Sequence, residues 1–311
     1  MAKILITESV HPIGPELLTA AGHTVVYANR DMDVIRREIV DADAVLVRII
    51  ELPGSLLATA KNLKIVSKHG VGYDNIDLDY CKSHGVAVTI TPNANSLSVA
   101  EHAFTLMLTL AKNIIPVSNE YRTVGFAAKN HAPGIEMTGK TLGLIGMGRI
   151  GKHILHMCKD GLDMHVIVYD PYISEVPEGV EKVDDLSELL RRADVVTLHC
   201  LLTDETRKLI DRERLALMKP TALLINCARG PIVDEAALIE ALENGRLAGA
   251  GLDVTDPEPV APDSPLFKLP NVIVTPHYAP TTVESATRVS KIAAENINAV
   301  LAGQEPVGRI A

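Results

Sequence analysis

Short runs of β-branched residues alternate with helix-like stretches, in two series along the chain, and that alternation leaves few folds open. From Met1 to about Pro92 the runs are "KILIT", "HTVVYA", "AVLVRI", "LKIVSK" and "VAVTIT". After a long apolar helix the pattern resumes with "TLGLIG", "HVIVYD", "VVTLHC", "ALLINC", "AGAGLDV" and "NVIVTP". Strands that alternate with helices run parallel, because a parallel neighbour is reached through a crossover, and the crossovers cover both sheet faces. The expectation is an α/β chain with two doubly wound parallel sheets. At 311 residues it is long enough for two domains, each with its own core.

The junctions between the two series are readable. Ser98-Val99-Ala100-Glu101 has the spacing of a capping box and precedes "HAFTLMLTLAKN", so a helix is expected to lead from the first sheet into the second domain. At the far end "TTVESATRVSKIAAENINAVLAG" reads as one long helix that stops at a glycine and returns to the first domain. This divides the chain into a discontinuous domain of residues 1–97 and 284–311 around a second domain of residues 98–283. Between Ile114 and Lys140 the periodicity fades, and Pro116, Gly125, Pro133, Gly134 and Gly139 punctuate the chain. We read an irregular arm there, long enough to need a function or a partner.

Charge and cysteine usage narrow the class. A net charge of −9 would repel a phosphate backbone, so a nucleic-acid partner is not expected. Cys81, Cys158, Cys200 and Cys227 are far apart, with no C-x-x-C, which fits a reducing compartment and argues against a metal site. "MAKILITESV" is interrupted by Glu8 and lacks a signal-like apolar core, and no uninterrupted apolar run approaches a membrane span. A cytoplasmic protein without a membrane partner is the expectation.

"TLGLIGMGRIGKHI" supplies Gly146, Gly148 and Gly151 as G-x-G-x-x-G, directly after a strand and opening a helix. In that setting the first glycine makes a tight turn and the second lets a pyrophosphate approach backbone N–H groups. The third lets helix and sheet pack closely, with the helix N-terminus facing the phosphates. Asp170 ends the next strand, close to the spacing of about 20 residues expected for a ribose-binding carboxylate. A carboxylate there accepts from a free 2′-hydroxyl and repels a 2′-phosphate. Pro171, Tyr172 and Ile173 follow it, with no arginine, so NAD is expected over NADP.

Ligands of an open parallel sheet bind outside the carboxyl ends of its strands. In the second half those ends carry Cys200 after "VVTLH", Arg229 after "ALLINC", Asp253 after "AGAGL", Glu258 shortly beyond it, and His277 after "NVIVTP". Hydride transfer at an alcohol carbon needs a group that gives or takes the hydroxyl proton, and histidine suits neutral pH. It also needs a carboxylate to hold that imidazole's tautomer, and a fixed cation for the substrate carboxylate or keto oxygen. His277, Glu258 and Arg229 fill these roles. Each has a plainer reading when taken singly: a strand-end cap, a solvated turn residue in "DPEP", and a structural ion-pair partner. The remaining histidines, such as His102, His153 and His156, read as structural.

These segments resemble the D-isomer-specific 2-hydroxyacid dehydrogenases, nearest the phosphoglycerate dehydrogenase and hydroxypyruvate/glyoxylate reductase branch. "GVGYDNID" is similar to that family's substrate loop and "TPNANSLSVAEH" to its hinge segment. "GKTLGLIGMGRIG", "INCARGPIVDE", "AGAGLDVTDPEP" and "TPH" are similar to its remaining signatures. The resemblance implies a flavodoxin-like substrate domain and a Rossmann NAD-binding domain. It makes Arg229, Glu258 and His277 catalytic, and places Arg149, Ile150, Asp170, Cys200, Cys227, Ala228 and Asp253 at cofactor positions. It assigns the backbone of Val71 and Gly72 to the substrate carboxylate, and the arm to a homodimer interface.

The chain departs from the family after the histidine. It reads His277-Tyr278-Ala279-Pro280 where a Gly/Ser/Ala-rich run is usual, and it has no tryptophan. Arg48, Lys68 and His69 end strands of the first sheet and are read as a second anion site. That favours a small 2-hydroxy acid with a second negative group, such as 3-phosphoglycerate. Hydroxypyruvate or glyoxylate, which need one anion site, are the alternative. A reading of a different class is an NADH-sensing corepressor-like binding protein, because a fold does not fix a function.

Overall fold

The computed structural model describes residues 1–130 and 132–311. By contact the chain separates into two compact units, Met1–Asn95 with Thr281–Ala311, and Ser96–Pro280.

The first unit is built on five parallel strands: β1 (Lys3–Ile6), β2 (Thr24–Tyr27), β3 (Ala44–Val47), β4 (Ile65–Lys68) and β5 (Ala87–Thr89). Their order is β2-β1-β3-β4-β5, the flavodoxin-like arrangement. β3 and β4 are buried at every position, as parallel strands covered on both faces must be, and this is why "AVLV" shows no polar alternation. The long helix Val283–Leu301 starts at Thr282, whose hydroxyl accepts from the Ser285 N–H. It returns to this unit, packing on β3, β4 and β5 and along the helix Ile13–Ala20. Gly14 allows that helix pair to approach: a Cβ there would lie 2.4 Å from Ser290 Oγ. The polar group that the returning helix brings inward is met as well, since Ser290 Oγ donates to the His11 carbonyl at 2.7 Å.

The second unit holds seven parallel strands: β6 (Thr141–Ile145), β7 (His165–Tyr169), β8 (Val180–Lys182), β9 (Val195–Leu198), β10 (Leu223–Asn226), β11 (Gly249–Leu252) and β12 (Val272–Val274). The order β12-β11-β10-β9-β6-β7-β8 reverses direction between β9 and β6, which makes the β6 end the topological switch point. Both sheets are therefore parallel and doubly wound, as the alternation predicts. β8 has no counterpart among the sequence runs, because it is a three-residue edge strand with no fully buried position.

Two local expectations change. The helix read from a capping box at Ser98 begins at Ser96, so Ser98 lies in its first turn. The stretch 114–140, expected to be irregular, opens with a helix at Ile114–Val124 and a 3₁₀ segment at Gly125–Asn130; His131 within it lies outside the described residues. Pro116 falls in the first helical turn, where its missing N–H leaves no bond unmade, and Gly125, at φ +65°, is the C-cap. The punctuation that reads as breakage thus marks the helix ends. No residue of this helix is buried; its apolar stripe, Ile114, Val117, Tyr121 and Val124, is short, interrupted by Pro116 near its start, and turned outward.

Candidate functional site

The glycine loop sits at the switch point, and each glycine has a distinct steric reason. Gly146 has φ +89°, and a Cβ on it would lie 2.7 Å from the Cys200 nitrogen at the end of β9. Gly151 presses on the loop itself, since a Cβ there would lie 2.3 Å from the Gly146 carbonyl oxygen. Gly148 is the opposite case: nothing lies within 4 Å of where its Cβ would be. It precedes the helix Arg149–Leu162, whose N-terminus carries no side-chain cap. Orphan N–H groups, a positive dipole end and open space in front of the backbone are what a pyrophosphate requires.

Asp170, at the end of β7, is held by two backbone donors, Met147 N–H on Oδ2 at 2.9 Å and Tyr172 N–H on Oδ1 at 3.0 Å. A carboxylate has about four acceptor directions, so this grip fixes it and leaves capacity for ribose hydroxyls. These residues fit a dinucleotide. Behind the loop stands His199, which the sequence reading passes over. Burial pushes its imidazole down to about 3, so it is neutral, and its Nε2 lies 2.8 Å from Thr197 Oγ1. The Cys200 thiol beside it is pushed up to about 11 by burial, with the Asp170 charge adding to the shift. Cys227 is driven up by burial too, so both are thiols and not thiolates at neutral pH.

Three adjacent strand ends carry the remaining groups. β10, β11 and β12 are parallel neighbours about 5 Å apart, so the loops that follow them emerge side by side. After β10, the buried Asn226 pins the turn: its Oδ1 accepts from Ala228 N–H at 3.0 Å and its Nδ2 donates to the Arg229 carbonyl at 2.9 Å. Arg229 is extended and half-buried, and Nη1 donates to the Ala228 carbonyl at 2.7 Å. Gly230 brings this turn against the β11 loop, since a Cβ there would lie 1.9 Å from the Thr255 carbonyl oxygen.

Glu258 is carried by that same β11 loop, and its Oε1 lies 2.7 Å from His277 Nδ1. Both side chains are partly exposed, at 42% and 35%. With Nδ1 facing a carboxylate, the ring's proton exchange with anything outside the pair is left to Nε2. His277 has φ +52°, a left-handed backbone uncommon for a non-glycine residue. Asp253 holds it there. This carboxylate is 1% exposed and accepts from Thr275 Oγ1 at 2.6 Å, Tyr278 N–H at 2.7 Å and Ala279 N–H at 2.9 Å. Thr275 has no mark in the sequence beyond its place two residues before the histidine.

In the first unit, Arg48, Lys68, Val71 and Gly72 gather at the carboxyl ends of β3 and β4. Lys68 differs from its reading as an anion ligand. It is 7% exposed, and its ammonium donates to the Arg48 carbonyl and, at 2.6 Å, to Asn75 Oδ1. A buried cation needs acceptors, and here the protein supplies them, so Lys68 ties the β3 end to the loop that contains Val71 and Gly72. His69 adds no charge, because burial, with the Arg48 cation next in effect, pushes it down to about 3. Arg48 is half-buried, with Nη1 on the Ser9 carbonyl at 3.0 Å. Val71 and Gly72 follow Gly70, whose carbonyl accepts from the Thr91 N–H at 2.9 Å. Among the described residues no cluster of histidine, cysteine and carboxylate groups has the makings of a metal site, and no helix is long and apolar enough to cross a membrane.

Residues 104–279 match the model of the D-isomer specific 2-hydroxyacid dehydrogenase NAD binding domain. The chain is 42% identical over 308 residues to the D-3-phosphoglycerate dehydrogenase of Methanocaldococcus jannaschii, covering 98% of itself and 58% of that relative's length. It is 38% identical over 319 residues to the glyoxylate reductase of Thermofilum pendens, covering 98% of itself and 93% of that protein. In structure it resembles the D-lactate dehydrogenase of Aquifex aeolicus complexed with NAD and lactic acid, with a TM-score of 0.88, 33% identity and 96% of each chain covered. NAD is thus the cofactor of the second unit, and the chain belongs to the D-isomer-specific 2-hydroxyacid dehydrogenase family.

Proposed function

We propose that the protein is an NAD-dependent oxidoreductase acting on small anionic D-2-hydroxy acids and their 2-keto counterparts, with Arg229, Glu258 and His277 as the catalytic residues. The observation that carries this reading is the 2.7 Å contact between His277 Nδ1 and Glu258 Oε1, placed one strand from Arg229 in the sheet that bears the glycine loop. NAD, when bound, supplies the hydride acceptor or donor. Glu258 fixes the His277 tautomer, so Nε2 takes the hydroxyl proton in oxidation and returns it in reduction. Arg229 presents its planar fork to the substrate's carboxylate or keto oxygen. Residues 1–97 with 284–311 form the substrate domain, and the Val71–Gly72 backbone receives the substrate carboxylate.

With Lys68 engaged by Asn75 and His69 neutral, the second anion of a 3-phosphoglycerate-like substrate falls to Arg48 alone. Hydroxypyruvate and glyoxylate make no demand on Arg48. A panel of 2-keto acids followed by NADH absorbance tests both levels of the reading. Reduction of none of them would sink the dehydrogenase assignment. A substrate with a second anion is expected to lead the panel, and to lose its lead in Arg48→Ala. Run with NADPH, the panel should be slower by about 10²-fold, since Asp170 sets a like charge against the 2′-phosphate at a cost of a few kcal/mol. Asp170→Ala should close most of that gap, and equal rates with both cofactors in the wild type would contradict it.

We also infer a homodimer formed through the segment 114–140. Ile114, Ile115, Tyr121, Val124 and Phe126 are exposed on it, Phe126 at 72%, and no residue of the helix Ile114–Val124 is buried within its own chain. An apolar surface of that kind on one segment is a protein-contact feature. A two-chain mass in solution at micromolar concentration is expected, and Phe126→Glu should weaken it. A monomeric mass would refute the inference.

A further inference from the structure

His102 reads as a core histidine on an apolar helix, yet its ring reaches the loop that carries His277. Its Nε2 lies 3.0 Å from Thr275 Oγ1 and 3.5 Å from Asp253 Oδ1. The Thr275 hydroxyl has a single proton, directed to Asp253 Oδ1 at 2.6 Å, so its oxygen can only accept from His102. This sets the tautomer of His102 as Nε2–H and orders a chain of donors: His102 Nε2–H to Thr275, Thr275 O–H to Asp253. The same carboxylate receives the N–H groups of Tyr278 and Ala279, and the His277 N–H donates to the Asp253 carbonyl at 2.8 Å. The peptide groups on both sides of a left-handed histidine thus hang on one residue, those after it on the buried Asp253 carboxylate and the one before it on the Asp253 backbone carbonyl. His102 also meets the residue after His277 directly, its ring edge-on to Tyr278 with centroids 6.1 Å apart at 62°.

We propose that His102 is a positioning residue for His277, acting through the Thr275 hydroxyl and the Asp253 carboxylate and not through contact with substrate. The inference rests on His277 being the proton carrier. A left-handed non-glycine backbone is uncommon and persists only where the surroundings over-determine it. Asp253 over-determines it with two N–H groups, and His102 in turn orients Asp253 by directing the Thr275 hydroxyl proton. The donor comes from the second turn of the helix Ser96–Ala111, which packs against β10 and β11, so the loop after β12 is braced from a rigid element outside it.

The test compares His102→Ala, His102→Gln and Thr275→Val. Glutamine places an amide N–H near the position of Nε2–H, and alanine places none. In His102→Ala, kcat for keto-acid reduction should fall about tenfold, the effect of one lost hydrogen bond on the transition-state geometry, while KM for the keto acid stays within about twofold. His102→Gln should recover most of kcat. Thr275→Val should match His102→Ala, and the double variant should lose no more than either single one, because both break the same chain. Hydrogen exchange reports the geometry without turnover: the Tyr278 and Ala279 amides should exchange faster in His102→Ala and at the wild-type rate in His102→Gln. Equal kcat and equal protection in wild type and His102→Ala would overturn the proposal. So would equal losses in the alanine and glutamine variants, which would make His102 a space-filling residue. If the wild type reduces no keto acid, the dehydrogenase reading fails, and the exchange comparison alone then decides whether His102 positions the loop.

Discussion

His277→Asn should lower kcat for keto-acid reduction by about 10²–10⁴-fold, the range a general acid contributes, while NADH binding by fluorescence titration stays within a few-fold of wild type. Asparagine is the informative replacement because it tolerates the left-handed backbone that His277 occupies at φ +52°, so the loop can keep its path while the titrating proton is removed. A kcat within about tenfold of wild type would show that His277 is not the proton carrier. The partner is tested by charge alone. Glu258→Gln keeps a hydrogen-bonding side chain beside Nδ1 and removes the negative charge 2.7 Å from it. The ring then loses the anion that accompanies its proton transfer, so kcat for reduction should fall about tenfold or more while KM for the keto acid stays nearly unchanged. A kcat equal to that of the wild type would mean that the pair is not the catalytic dyad.

The sequence made the sheets legible because parallel strands buried on both faces are written as near-continuous apolar runs, and "AVLV" admits little else. Arg229, Asp253, Glu258 and His277 were legible for a related reason: each is a polar residue at or just past the end of such a run, at the edge where a parallel sheet collects its ligands. What stayed hidden depends on angles that spacing does not encode. His102 lies within an apolar helix, and only the crossing of that helix over β10 and β11 brings its ring to Thr275. Nor does spacing show that Asn75, seven residues on, folds back to accept from the Lys68 ammonium. The helix at Ile114–Val124 is hard to read because its stripe of Ile114, Val117, Tyr121 and Val124 is short, with Pro116 near its start and Gly125 just past its end. Its end signals, Pro116 in the first turn and Gly125 at the C-cap, are the same residue types that punctuate a loop, and spacing alone does not tell the two apart.

Arg229→Lys preserves the charge and should still lose about 10²-fold in kcat/KM, divided between a higher KM and a lower kcat. The expectation follows from how the side chain is held. Asn226 pins the turn from both sides, and Nη1 is anchored on the Ala228 carbonyl, so the guanidinium plane is set by the protein before any substrate arrives. Gly230 fixes that turn against the Thr255 carbonyl on the loop that carries Glu258, so the plane of the fork and the carboxylate beside His277 are set by the same contact. A lysine has three rotating donors on a flexible stem. It cannot hold a backbone anchor and offer two coplanar N–H groups to a carboxylate at once. The ground state would lose part of its binding, which raises KM. The keto carbon would also be less well aligned with the proton donor, and a misplacement of about 1 Å is enough to cost 10²-fold. Steady-state kinetics separate the two contributions. A rise in KM with kcat unchanged would mean that Arg229 binds substrate without orienting it. Wild-type values for both would assign the arginine to the architecture of the turn and leave the substrate's anion to another residue.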